Sequence, residues 1–182
     1  MMERLKADPA AKGIEFEYYP AEQLGKAKDL LSLTQSGLVD VAYVGPGFVS
    51  DKMPLSVVAE LPLPYTGSCQ ATLAYWNLAK PGGLLDKKEF APNGVRLLCT
   101  IVLPPYQVIT RKPFASLKDL EGMKIRASGS AKELLLKELK AVPVLMPTPE
   151  VYESLSRGTI DGVLFPFNSL APYGIDKLSK SG

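Results

Sequence analysis

At 182 residues the chain is long enough for one ordinary domain or two small lobes. With 46% hydrophobic and 22% charged residues it can bury a core, and a net charge of +2 with scattered Lys and Arg leaves no basic footprint for nucleic acid. The absence of histidine removes Ser-His-Asp and Cys-His nucleophile systems and imidazole metal sites.

The amino terminus, MMERLKADPAAKG, reads as a charged surface helix. It lacks the apolar segment of a secretory signal, so the chain is either cytosolic or a mature or truncated form. Alternation from Ile14 to Tyr18 predicts a half-exposed strand. GKAKDLLSLTQSG has helical spacing, with Gly37 as a left-handed C-cap. VDVAYVGPG predicts a short buried strand ending in a Gly-Pro-Gly turn, and SVVAELPLP another extended run. A helix over 68–80 closes at Pro81 and two glycines, and GVRLLCTIVLPP is the most apolar predicted strand. Every apolar run is broken well before the length of a membrane span. Cys69 and Cys99 are not in a CxxC arrangement, sit in apolar company, and read as buried free thiols.

Beyond 103–106 the character shifts. YQVIT predicts a strand, Lys112-Pro113 a turn, residues 123–127 a strand, and the segment from about Ala131 a strong helix. PVLMP is a strand, TPEVYESLSRG a helix with Pro149 in its first turn, IDGVLFP a strand, and the last segment weakly helical. Helices alternate with strands, which predicts an α/β architecture with largely parallel sheets. One corner appears twice: SLTQSGLVDVAYV at 32–44 and SLSRGTIDGVLFP at 154–166 both run helix, Gly, Asp, buried strand. A boundary there gives each of two lobes, 1–103 and 104–182, one such corner.

In order, YPAEQLG, GLVDVAYVGPG, LPLPY, SLKDLEGMKIRASGS and MPTPEVYESLSRGTIDGV form a pattern over nearly the whole chain. It resembles the extracytoplasmic solute-binding subunit of TRAP transporters, the DctP-like family. The pairing of DLEGMKIR with PTPEVYESLSRGTIDG is its most specific part. The resemblance implies a type II periplasmic-binding-protein-like fold, with two α/β lobes and a ligand cleft between them. It implies a periplasmic location, a small organic acid as ligand, and TRAP membrane subunits as partners for a chain that does not itself span the membrane. It further implies elements before the first residue and after the last, so the chain is expected to be incomplete at both ends.

Arg126 ends the strand MKIR, and ligands of open α/β sheets gather beyond the carboxyl ends of strands. Its fork suits a carboxylate. The resemblance maps the family's carboxylate-binding arginine onto it; read from the residues alone, it could be solvated or paired with Glu121. Ser128 or Ser130 is a plausible N-cap for the next helix, whose free amides would face the same space. Tyr43 and Gly45 follow the first corner's strand, Phe165 and Asn168 the second's, and Tyr106 opens the second lobe, so all five are candidates to line the cleft. Of Phe165 and Phe167, which alternation places on one face, one is expected in the core. Trp76 reads more readily as core than as cleft.

Phe165 stands where binders of acidic sugars and dicarboxylates in the family carry Asn, and LPPY stands where some carry a second Arg. Losing two polar anchors argues for a monocarboxylate with an apolar or aromatic body, such as a 2-oxo acid. No cofactor is expected, since GPG lacks the Lys and Ser/Thr of a phosphate loop, and no paired carboxylates suggest an enzyme. The competing readings are a small-molecule enzyme or a ligand-sensing module on a related two-lobe fold.

Overall fold

Residues 2–61, 65 and 67–180 are described by a computed structural model, and the sheet among them lies wholly in the second half of the chain. Its strands are β1 (Tyr106–Thr110), β2 (Lys124–Ala127), β3 (Val142–Leu145) and β4 (Gly162–Pro166), in the order β1-β4-β2-β3. Strand β2 runs parallel to β3 and β4, whereas β1 is antiparallel to β4. Numbered in chain order, the helices are α1 (Met2–Ala7), α2 (Leu30–Gln35), α3 (Ser68–Ala79), α4 (Ser130–Glu138) and α5 (Val151–Arg157). Helix α4 joins β2 to β3 and α5 joins β3 to β4, as parallel strands require.

Register decides which residues face which layer. Ile125 and Ala127 share one face of the sheet with Leu164, packed against Leu120 and Leu136. Val163 and Phe165 face the other way, against Ile109, Val151, Leu155 and Ile175. Arg126 pairs with Val163 across β2 and β4, so alternation sends its side chain to the Phe165 layer. All five residues of β4 are buried, which suits a central strand covered on both faces.

The repeated corner is real at the helix ends. After α2, the Leu38 amide donates to the Leu33 carbonyl and the Gly37 amide to Thr34, with φ of +74° at Gly37. After α5, Thr159 donates to Ser154 and Gly158 to Leu155, with φ of +75° at Gly158. Both are Schellman caps, whose left-handed residue favours glycine.

The two corners then diverge. The second runs into β4, and Asp161 ties it down: its amide donates to the Lys124 carbonyl while its carboxylate accepts from the Lys124 amide. Residues 41–44 after the first corner form no ladder, nor do 14–18 or 94–103, so three strands expected from alternation or from apolar runs are irregular chain instead. Alternation sets which side chains face inward, but a strand needs a neighbour for its amides, and among the described residues these segments have none. The Val102 amide donates to the Thr72 hydroxyl instead. Of the fourth expected extended run, 56–64, residues 62–64 lie outside the described residues, and the part up to Glu60 lies in a 3-10 turn, Leu55–Glu60. The buried Glu89 carboxylate pins its start by accepting from the Leu55 and Ser56 amides and the Ser56 hydroxyl.

Even so, the first half has its own core, with Leu31, Met53, Ala71, Tyr75, Phe90 and Val102 among its members. The 68–80 helix forms as expected, and Trp76 on it is half-buried. Cys69 and Cys99 are free, as read, but both are exposed, on the outer sides of α3 and of the 94–103 segment. The segment after β4 folds into 3-10 turns, tied back where the Lys180 amide donates to the Thr110 carbonyl.

Candidate functional site

The carboxyl ends of β2, β3 and β4 and the start of the antiparallel β1 all meet at one edge of the sheet. Arg126 stands there, 1% exposed. Its Nε donates to the Met146 carbonyl at 2.8 Å and its Nη2 to the Thr148 hydroxyl at 3.2 Å. The guanidinium carbon lies 5.4 Å from the centre of the Phe165 ring, which Tyr173 meets edge-on at 5.7 Å. Glu121 is not its partner. Among the described residues no carboxylate lies within 4.0 Å of the guanidinium and no acceptor bonds Nη1. Burial draws the guanidinium's pKa down to about 10, against smaller opposing effects of Tyr106, Glu60 and Tyr173. Among the described residues three of its five N–H groups have no partner, including a pair at the end of the fork. Such a group can receive an anion in two parallel hydrogen bonds.

Tyr106 and Ser128 join this edge. The Ser128 hydroxyl is within hydrogen-bonding reach of the Tyr106 phenol, whose pKa burial pushes up. The cap of α4 is Gly129, without a side-chain cap bond, rather than either serine. Phe165 is 3% exposed and belongs to the core while carrying the guanidinium on its ring; Phe167 is 55% exposed. Asn168 is exposed in the turn after β4.

From the first half, the turn at Gly45–Gly47 and the end of the 55–60 turn come against the start of α4. A Cβ built on Gly47 would lie 2.5 Å from Gly129 Cα. Only two glycines permit backbones to approach so closely. The Glu60 carboxylate spans the junction, accepting from the Gly47 amide at 2.9 Å and from Lys132 Nζ at 2.9 Å. Lys132 Nζ also lies 4.6 Å from the centre of the Tyr106 ring. A second link between the halves, Lys26 to Glu150 at 3.3 Å, is exposed and contributes little. Tyr43 stands at the rim, 76% exposed.

Of the residues named from the sequence, the structure brings Arg126, Tyr106, Ser128 and Phe165 together, with Tyr43 near Tyr106 and Gly45 at the junction with α4, whereas among the described residues no contact links Asn168 to them. The sequence reading missed Glu60 and Lys132, which are 72 residues apart. One signal was available: a lysine in the first turn of a helix opposes the helix dipole and calls for a compensating partner. An apolar cavity of about 90 Å³ among Val58, Ala71, Tyr75 and Val102 lies in the first half, with no charged group in its wall.

Comparison with known proteins shows the family and the fold. The model of the DctP family, described as bacterial extracellular solute-binding protein, family 7, matches residues 5–181. A TRAP periplasmic solute-binding protein of Bordetella bronchiseptica, solved with bound (R)- and (S)-mandelate, is 30% identical with a TM-score of 0.82 over 98% of this chain and 55% of its own. A TRAP solute-binding protein of Rhodoferax ferrireducens T118 with copurified benzoate is 28% identical, also at 0.82, over 98% of this chain and 54% of its own. The ectoine-binding periplasmic protein TeaA of Halomonas elongata is 26% identical over 90% of this chain and 48% of its own. The chain spans about half the length of the relatives it matches. Among the described residues no helix is long and apolar enough to cross a membrane.

Proposed function

The chain belongs to family 7 of the bacterial extracellular solute-binding proteins, the DctP family, and on that premise we propose that it binds a small organic monocarboxylate through Arg126 and delivers it to the membrane subunits of a TRAP-type transporter. The family is a transport component rather than an enzyme family, and its members act outside the cytoplasm. One observation carries the assignment of the anchor: Arg126 is buried, held in orientation by Met146 and Thr148, and has no carboxylate partner among the described residues. A charge removed from water without a counter-ion is costly. A bound carboxylate supplies the missing counter-ion.

The walls favour an apolar or aromatic body. Phe165 lies beneath the guanidinium, Tyr106 beside it, and Tyr43 at the rim. Similar proteins were solved with mandelate and with benzoate, both aromatic monocarboxylates, which supports the same class here. Ser128, bonded to the Tyr106 phenol, supplies a polar atom beside the anchor, and Gly45 and Asn168 are further candidates for polar contact with the ligand. The cores segregate, with the cluster built on 31–102 separate from the two built on 106–178, in keeping with lobes of 1–103 and 104–182.

Isothermal titration of the 182-residue chain with benzoate, succinate and galacturonate tests the reading. Benzoate is expected to bind, and Arg126→Gln to weaken it about a hundredfold, the scale for losing one partner of a buried charge pair. A chain that prefers succinate or galacturonate, or a folded Arg126→Gln variant with undiminished benzoate affinity, overturns it.

A further inference from the structure

Two positive groups and one negative group meet at the sheet edge, and their arithmetic bears on what the site can accept. Arg126 and Lys132 flank Tyr106: the former is two residues from Ser128, which bonds the Tyr106 phenol, and the latter lies 4.6 Å from the Tyr106 ring. Glu60 reaches over from the first half and holds Lys132 Nζ at 2.9 Å, its other oxygen fixed by the Gly47 amide. Both side chains of this pair are close to nine-tenths buried, so water screens them little. The close backbone approach of Gly47 and Gly129 fixes where the Glu60 carboxylate sits.

We propose that Glu60 is a specificity-determining residue: by cancelling Lys132 it leaves the site one net positive charge, that of Arg126, and so admits monoanions while rejecting a second carboxylate. The inference rests on the carboxylate-binding reading of Arg126 and deepens it. A ligand's first carboxylate completes Arg126. A second finds no free cation, because Lys132 is already occupied, and it meets the negative field of Glu60. Repulsive groups of this kind set specificity without adding affinity for the chosen ligand. Apolar contact with Phe165 does not discriminate in this way, since benzoate and an aromatic dicarboxylate present the same ring.

The experiment compares benzoate with isophthalate, which adds only a second carboxylate, by titration calorimetry on the 182-residue chain. Wild type is expected to bind benzoate in preference. Glu60→Gln keeps one amide oxygen for the Gly47 N–H and puts an NH2 in place of the oxygen that holds Lys132, which frees the Lys132 charge. The isophthalate-to-benzoate affinity ratio then rises about tenfold or more, the scale of an added unit charge in a partly desolvated site. The double variant Glu60→Gln with Lys132→Met restores one net positive charge and is expected to return the ratio toward that of wild type. Lys132→Met alone exposes the Glu60 charge and weakens benzoate binding at least severalfold, an independent readout should Glu60→Gln fold poorly. An unchanged ratio in folded Glu60→Gln, or undiminished benzoate binding in folded Lys132→Met, overturns the proposal. If wild type binds neither acid, the carboxylate reading itself fails and this inference falls with it; a wild type that binds benzoate while the ratio ignores Glu60 defeats the inference alone.

Discussion

Adding one methyl group at Gly129 probes whether the approach of the two halves belongs to ligand capture. Its φ of 166° is extended backbone that any residue adopts, so Gly129→Ala introduces no torsional strain. The obstacle is space. The new Cβ would lie 2.9 Å from Gly47 Cα, where ordinary contact begins at 3.4 Å, so the backbones must part by about 0.5 Å (3.4 − 2.9). Glu60 Oε2 is nearer still, and it is the atom that holds Lys132. Neither neighbour is the loose end of a solvated chain: one is backbone, the other a carboxylate fixed at both oxygens. Overpacking of this kind costs about 1–3 kcal/mol. Each half keeps its own core, so the cost falls on their mutual approach, and benzoate affinity is expected to drop about 5- to 150-fold. Titration calorimetry with benzoate reads the affinity, and ligand-free thermal unfolding reads the fold. Gly67→Ala, at φ of 179° with nothing within 4 Å among the described residues, serves as a control expected to leave both unchanged. A folded Gly129→Ala protein that binds benzoate within twofold of wild type refutes the reasoning.

Phe165→Leu removes the ring beneath Arg126 and the edge-on contact with Tyr173, interactions worth about 0.5–2 and 0.5–1.5 kcal/mol, and a fall in urea midpoint together with weaker benzoate binding is expected. Gly37→Ala and Gly158→Ala force a methyl-bearing residue to φ of +74° and +75°, and each is expected to cost about 1 kcal/mol in urea unfolding. The two penalties should agree closely, because the only crowding at Gly158 comes from the flexible end of Arg111. Benzoate affinity is expected to be flat between about pH 6, where the ligand's carboxylate is fully ionised, and about pH 9, and to fall about tenfold per pH unit above about 10. Burial has lowered the pKa of Arg126, so the charged, binding form lies below that value and is lost as pH rises through it; a calorimetric pH series that stays flat to pH 11 contradicts this.

The second half of the fold was legible because its signals are local and mutually consistent. Pro149 starts a helix, Gly158 ends it, Asp161 fixes the corner, and β4 follows as an apolar run with strands on both sides. The first half carries the same kinds of signal, but alternation at 14–18 and 94–103 specifies only which side chains face inward. Ladder formation depends on what lies alongside, and no property of Val41 or Ile101 encodes that. The position of Arg126 at a strand end was readable for a reason of the first kind, whereas its role as an anchor came from the family resemblance and is a proposal. The pair Glu60–Lys132 was not readable, since it exists only once the two halves meet.

Under the proposed function, the surroundings of Arg126 describe a site that a ligand completes. A fold that needed this residue only for stability would give it a carboxylate, as Lys132 has been given Glu60. Instead, Glu60 is committed to Lys132 and to the Gly47 amide, and the guanidinium is left with one carbonyl, one hydroxyl and an aromatic face. Those neighbours orient it without neutralising it. Its lowered pKa is the signature of that arrangement, and a depression of this size amounts to stability forgone on the order of a few kcal/mol. On the proposed function, an arriving carboxylate recovers that free energy through interactions that form only when it is bound. On that proposal the folded chain is less stable than it could be, and the difference becomes affinity for one negative charge.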